Sequence, residues 1–293
     1  MNDIIEHEMD GMILLNKSKG YTSFQELGRL KKIIKLKKTG HAGTLDKEAE
    51  GLLLVCLGKS TKLLKFLVGM DKVYTAEFTF GEQRSTDDIA GEVIKSYNAT
   101  IHLDTIDLSL NKYRGIIEQT PPNYSAVHVD GKRAYKIALA GNTPIIKART
   151  VTIYSLELLQ TYLNSITVKI RCSSGTYIRS IARDIGIDTG YYAYMSALKR
   201  NQIGDFTIEQ SYSIDQIEKN EFKIVTPNDI LSDIDELILN PQAIHKIKDG
   251  KKLFFDDFVT VPENDGYYKI NNNNKLMAVV QKINSDIIYD LVY

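Results

Sequence analysis

The chain has 293 residues, 43% of them hydrophobic and 25% charged, and its 37 basic and 37 acidic side chains cancel to a formal net charge of zero. That length exceeds one ordinary domain and that composition supports a packed core, so disorder is not the default and one large domain with a small appendage is expected. Cys56 and Cys172 alone cannot make a disulfide framework or a four-cysteine zinc site, and no apolar run approaches the roughly 20 residues of a membrane span.

The first residues, Met1 to Glu8, are acidic where a secretory leader would be basic, which predicts a cytoplasmic protein. Met12 to Leu15 suits a buried strand, and Asn16 to Gly20 a turn. Ser23 with Glu26 forms a capping-box pattern that predicts a helix start. From Lys17 to Lys38 there are eight basic residues against one acid, Glu26. Between Asp215 and Glu236 seven acids face Lys219 and Lys223. A phosphate backbone would meet the first segment and avoid the second.

Gly40 to Asp46 has no apolar period and two glycines besides, which predicts a loop. Gly51 to Gly58 reads as a buried strand, and Ser60 or Thr61 as the cap of a helix carrying Leu63, Leu64 and Leu67. Tyr74, Ala76, Phe78 and Phe80 alternate with polar residues, the period of a strand. Val151 to Leu159 and Ile166 to Cys172 predict two more, followed by a helix over Thr176 to Asp184 closed by Gly186. Strands and helices mix without βαβ alternation, so the fold class expected is α+β with a mixed, mainly antiparallel sheet.

Pro227 and Pro241 flank the acidic, helical stretch, which marks a boundary between a large domain, 1–235, and a small β-rich one, 236–293. Within the latter, Lys252 to Thr260, Tyr267 to Ile270, Lys275 to Ile283 and Ile287 to Tyr293 predict strands, with Asn271 to Asn274 as a hairpin turn.

Gly58-Lys59-Ser60-Thr61 looks like the end of a phosphate-binding P-loop, but that motif needs a glycine where Leu53 stands. No His-Glu-x-x-His pattern or Cys/His cluster suggests a metal. The informative stretch is Gly40-His41-Ala42-Gly43-Thr44-Leu45-Asp46. Taken singly, an aspartate in such a loop is an ordinary turn former.

This loop resembles the Gly-His-x-Gly-x-Leu-Asp loop of the bacterial TruB family of tRNA pseudouridine synthases, and the resemblance extends over most of residues 11 to 210. Asp71-Lys72-Val73-Tyr74 is similar to the family segment bearing an active-site tyrosine, and Ser174 to Ser180 to the one bearing an active-site arginine. Gln119 to Ala126 resembles another signature, and Leu198-Lys199-Arg200 a segment whose leucine lines the uracil pocket. Ala243 to Phe258 and Leu276 to Tyr293 resemble a small RNA-binding PUA-type domain. Lys47 and Ser18 replace prolines of the pattern, while His128 and Leu139 replace basic residues, which bears on phosphate contacts rather than catalysis.

The resemblance implies a pseudouridine synthase fold and isomerisation of uridine 55 in the T-loop of tRNA. It implies Asp46, Tyr74 and Arg179 as catalytic residues, and His41, Gly43, Tyr177, Leu198 and Lys17 as substrate-binding ones. Arg179 would pair with Asp46, Tyr74 would stack on the uracil, and His41 would occupy the space an extruded base leaves. A carboxylate suits the chemistry because it stabilises or traps an electron-poor C1′; adding to C1′, removing a sugar proton and attacking the ring are all open to it. The substrate carries both fragments, so no cofactor or metal is expected, and the protein is read as a monomer needing no protein partner. Two other readings remain: a tRNA-folding chaperone without chemistry, and a synthase directed to another RNA.

Overall fold

The computed structural model describes residues 9–98, 100, 102–262 and 264–293; the acidic stretch Met1 to Glu8 lies outside them. Among the described residues one nine-stranded sheet organises the larger part of the chain. Its strands are β1 (Gly11–Lys17), β2 (Thr39–Ala42), β3 (Glu50–Leu57), β4 (Lys72–Phe80), β5 (Gly115–Gln119), β6 (Arg149–Thr161), β7 (Ser165–Cys172), β8 (Ala193–Ile203) and β9 (Phe206–Thr207). They run in the order β1-β3-β8-β4-β7-β6-β5, with β2 also on β3 and β9 on β8. Every pairing is antiparallel except β8 with β3, which meet in parallel through Lys199 with Glu50 and Arg200 with Gly51. The expected α+β class with a mainly antiparallel sheet is the one observed.

The unbroken apolar run of β3 has a simple cause: both of its faces are covered. Leu52, Leu54 and Cys56 join Met12 and Leu14 of β1 on one side, with Leu63 and Leu67 over them. Leu53, Val55 and Leu57 join Ile13 and Leu15 on the other, under Leu27, Leu30 and Ile34 of helix α1 (Ser23–Ile34). Strand β4 instead alternates, its inward Tyr74, Ala76, Phe78 and Phe80 packing with Ile178, Ile181 and Ile185 of helix α2 (Ile178–Thr189). Burying each such side chain contributes about 1.5–3 kcal/mol, which makes these faces the main source of stability.

The C-terminal strands β10 (Gly266–Asn272), β11 (Lys275–Ile283) and β12 (Asp286–Val292) form a separate three-stranded sheet. Asn273 and Asn274, both at positive φ (49° and 60°), make the two-residue turn between β10 and β11, as the asparagine run predicts. One face of this sheet covers Leu237, Leu253 and Phe258, while Leu276, Val279 and Leu291 reach the core around Leu52. The hydroxyls of Tyr293 and Ser60 lie 2.5 Å apart, and Lys62 Nζ donates to Val292 O at 2.6 Å. Among the described residues no helix is long and apolar enough to cross a membrane.

Several expectations about single elements are corrected. Lys252 to Thr260 is not a strand but an irregular segment with a 3-10 turn at Phe255–Asp257. The Asp257 carboxylate accepts from Phe254 N at 2.8 Å and from Lys246 Nζ at 2.6 Å, and this local bond competes with extension. The residues after β3 begin as a 3-10 turn, Gly58–Leu63, before the short helix Leu64–Val68, and neither Ser60 nor Thr61 caps it. Gly40 to Ala42, read as the start of a loop, instead belong to Thr39–Ala42, which pairs with β3 as β2.

The helix near residue 180 is longer than expected: α2 runs to Thr189 and ends at Gly190, whose φ is +75°. Gly186 lies inside it, where a Cβ would stand 2.1 Å from Ala193 N and 2.6 Å from Tyr192 C. Alanine favours a helix over glycine by about 1 kcal/mol, but overpacking costs about 1–3 kcal/mol. Gly186→Ala is therefore expected to lower stability in urea unfolding by up to about 2 kcal/mol once its helix preference is subtracted. A gain in stability would contradict the close crossing of α2 and β8.

Candidate active site

The loop between β2 and β3 carries Asp46, and buried side chains from three other elements hold it. Gly43 turns the loop at φ +80°, where a Cβ would also press to 3.3 Å of Arg200 Nη1. From α1, Ser23 Oγ donates to Leu45 O at 3.1 Å and accepts from Leu45 N at 2.9 Å. From β1, the fully buried Lys17 donates to Ala49 O at 2.5 Å and Ser18 O at 3.0 Å. From β8, the buried Arg200 donates through Nη2 to Gly43 O at 3.0 Å and through Nε to Leu52 O at 2.8 Å.

This use of Ser23 explains a further correction. The helix is capped one residue earlier, by Thr22 with Gln25, and not by Ser23 with Glu26. Glu26 is buried instead, accepting from Ser18 N at 3.3 Å and from Arg29 at 3.0 Å.

Arg179, the second residue of α2 and 5% exposed, meets Asp46 side-on: Nε lies 2.9 Å from Oδ2, and Nη2 donates to Oδ1 at 3.1 Å. Its remaining N–H groups are also satisfied, by Thr86 O at 3.1 Å and Tyr124 O at 3.2 Å, with Asp88 Oδ2 3.5 Å from Nη1. Although 39% of the Asp46 side chain opens to the cavity, protein surrounds its other sides. That loss of water is the largest influence on its ionisation and, with Asp88, raises its pKa more than Arg179 and Lys17 lower it.

The cavity in front of Asp46 has a volume of about 400 Å³. Gly43, Asp46, Tyr74, Tyr177, Arg179 and Leu198 all line it, so the structure brings these expected residues together. Leu198 stands on strand β8, and Tyr74 is 8% exposed with its phenol beside Arg200; burial is the main cause that pushes the Tyr74 pKa up. Gln119 grips Tyr177 by its backbone, Nε2 donating to Tyr177 O at 3.0 Å and Oε1 accepting from Tyr177 N at 2.8 Å.

Two expected substrate residues do not line this cavity. Lys17 is enclosed beneath the loop and holds its carbonyls, so it is not placed to meet a phosphate. Its ammonium loses hydration there, and burial lowers its pKa. His41 sits half-buried in β2 opposite Val55, its Nδ1 without a hydrogen-bond partner among the described residues. Burial, then Arg200, pushes its pKa down.

The sequence reading missed Asp88, Arg200, Arg149 and Lys72. Asp88 Oδ1 accepts from Thr86 Oγ1 at 2.5 Å and from Ala90 N at 3.0 Å, local bonds that read in sequence as a plain turn. Only the fold shows that its other oxygen faces Arg179. Next to it, burial pushes the Asp87 carboxyl up to about 6 against the pull of Arg183, 3.0 Å away. Lys72 donates to Val68 O at 2.8 Å and Met70 O at 2.5 Å, and burial, with Arg200 nearby, pushes it down to about 8.

A family model described as TruB family pseudouridylate synthase, N-terminal domain, matches residues 31–178. A protein named tRNA pseudouridine synthase B from Borreliella burgdorferi (strain ZS7) is 37% identical over 278 residues, covering 94% of this chain and 95% of its own. One of the same name from Aquifex aeolicus (strain VF5) is 36% identical over 276 residues, covering 92% and 95%. Among solved structures, a chain of a Cbf5-Nop10-Gar1 complex superposes with a TM-score of 0.73 at 23% identity, covering 97% of this chain and 84% of its own, a likeness of fold.

Carbon-13 titration of the Asp46 carboxyl is expected to give a pKa above the ordinary aspartate value, because burial disfavours the charged form. Asp88→Asn removes a negative neighbour, which favours ionised Asp46, so the midpoint should move to lower pH. An unmoved or raised midpoint would show that Asp88 does not act on Asp46 through its charge.

Proposed function

Because the chain belongs to the TruB family of pseudouridylate synthases, we propose that it is a tRNA pseudouridine synthase acting on uridine 55 of the T-loop, with Asp46 as its catalytic carboxylate. The observation that carries the reading is the side-on pairing of Asp46 with a buried Arg179 at the wall of a cavity of about 400 Å³. The names of the bacterial relatives support tRNA as the substrate.

The reaction breaks the bond from C1′ to N1, turns the uracil and joins C1′ to C5; the C5 proton leaves and N1 gains one. A uridine stacked in an RNA arm cannot reach Asp46, so it must be extruded, at a cost of a few kcal/mol. In the cavity Tyr74 offers a neutral phenol and ring, Leu198 an apolar wall, and Tyr177 a second ring. Arg179 aims the carboxylate and stabilises its charge through two hydrogen bonds. The reading keeps His41 as the plate that fills the vacated stack; a depressed pKa suits an uncharged ring there. Lys17 serves by holding the loop. No cofactor is required, since every atom of the product is in the substrate or water.

The reading assigns residues 1–235 to catalysis and 236–293 to a PUA-like RNA-binding domain, which a core around Leu237, Phe258 and Ile270 supports. It also places the enzyme in the cytoplasm as a monomer acting without a protein partner. The test is tritium release from a T-arm transcript labelled at uracil C5. Wild type should release it and form pseudouridine at one position, while Asp46→Asn should fall by on the order of 10³ or more with RNA affinity kept within a few-fold. No release by wild type would leave a binding protein without chemistry, and normal turnover by Asp46→Asn would remove the carboxylate from the mechanism.

A further inference from the structure

Four cationic side chains line the cavity: Lys72, Arg149, Arg179 and Arg200. Three are already occupied. Lys72 donates to two carbonyls, Arg179 to two carboxylates and two carbonyls, and Arg200 to Gly43 O and Leu52 O. Arg149 differs. Its Nε is buried without a hydrogen-bond partner, and among the described residues its guanidinium makes no ion pair.

The surroundings of Arg149 hold it flat without satisfying it. Its Cζ lies 4.7 Å from the centroid of the Tyr177 ring. A Cβ on Gly175 would stand 3.5, 3.6 and 3.7 Å from Cζ, Nη2 and Nη1, nearly equal distances that mean the guanidinium lies face-on to this glycine. Packing therefore covers one face with Gly175, sets the Tyr177 ring close by and encloses Nε, and it leaves the two terminal Nη groups to find a partner. The residue opens β6, paired with Gln119 of β5, the same residue whose amide grips Tyr177. Both the cation and its aromatic support are thus fixed to the sheet.

A planar fork of donors at a cavity wall matches an oxyanion that can accept two parallel hydrogen bonds. A nucleotide entering this cavity brings a permanently charged oxyanion of that kind, its phosphodiester; the uracil carbonyls are neutral. We propose that Arg149 binds a backbone phosphate flanking the extruded uridine and so anchors the nucleotide whose base lies at Asp46. The proposal rests on the pseudouridine synthase reading and adds to it a phosphate subsite.

The test is a cycle between protein and RNA, read by binding. T-arm stem-loops would carry a neutral methylphosphonate either 5′ or 3′ to the target uridine, and Kd would be measured against salt for wild type, Arg149→Ala and Arg149→Lys. Wild type should lose about tenfold in affinity or more with one of the two neutral linkages. Arg149→Ala should lose as much on the native stem-loop, show no further loss with that linkage, and have a salt slope smaller by about one. Arg149→Lys keeps the charge and so the slope, but loses part of the affinity with the fork. If the neutral linkage weakens binding equally in wild type and Arg149→Ala, or if Arg149→Ala leaves the salt slope unchanged, the proposal is overturned. Should Arg149→Ala fail to fold by circular dichroism, Arg149→Lys decides: full affinity with an undiminished methylphosphonate effect would make the fork irrelevant and overturn it. Tritium release by wild type on the native stem-loop tests the underlying reading separately, because the binding cycle is scored whether or not turnover occurs.

Discussion

A carboxylate that opens to a cavity on one side and meets a buried guanidinium on the other is the interaction on which the site depends. Arg179 is 5% exposed, and a charge so placed is costly unless its donors are matched. Here Asp46, Asp88, Thr86 O and Tyr124 O surround it. Asp88 and Thr86 belong to one turn and Tyr124 to a segment far from it in sequence, so Arg179 ties both segments to the loop of Asp46. Removing one partner of such a buried pair ordinarily costs about 3–5 kcal/mol, most of it for the charge left behind. The presence of Asp88 changes that arithmetic: loss of the Asp46 charge still leaves Arg179 one carboxylate, so a conservative substitution at position 46 leaves less of the guanidinium unmatched.

The loop bearing Asp46 is rigid for a related reason. Its carbonyls at Gly43, Leu45 and Ala49 are each held by a buried side chain, from β8, α1 and β1 respectively. No two of these tethers come from the same element, so the loop cannot shift without disturbing three packed faces at once. A catalytic group is useful only if its supporting shell fixes it within a fraction of an ångström, and this loop obtains that support from the fold and not from its own sequence.

The relation between sequence and structure follows the same division. Period-two alternation in β4 and the double-sided apolar run in β3 were readable because burial of neighbouring side chains is a local pattern. The asparagine turn was readable because positive φ favours that residue. Boundaries went wrong where a polar side chain had two possible partners. Thr22 with Gln25 and Ser23 with Glu26 are both capping boxes on paper, and tertiary contacts with Leu45 and Ser18 decided between them. Gly186 resembled a helix end because nothing in sequence reports that Ala193 passes 2.1 Å from where its Cβ would be. The ordered motifs pointed to Asp46, Tyr74 and Arg179, whose grouping around one cavity the fold displays. Asp88 and Arg149 lie outside those motifs, and Arg200 stands in one noted only for its leucine: the role of each depends on a partner distant in sequence.

Charge distribution gives the same lesson on a larger scale. In sequence, the basic segment 17–38 and the acidic segment 215–236 look like separate surfaces, one for a phosphate backbone and one away from it. In the fold, Ile214 and Ile217 share a core with Leu27, Leu30 and Ile34 of α1, so the beginning of the acidic segment packs against the basic helix. Lys17 is buried under the loop of Asp46, and Arg29 is paired with Glu26. Lys19, Lys31, Lys32, Lys35, Lys37 and Lys38 stay at least partly exposed, but exposed charges beyond about 8 Å are screened at physiological salt, so they act on a polyanion at close range. Under the proposed function, selection of a nucleotide must then fall to short-range contacts inside the cavity. There most cations are committed to protein oxygens, and a guanidinium with a free edge is the group able to answer an incoming charge.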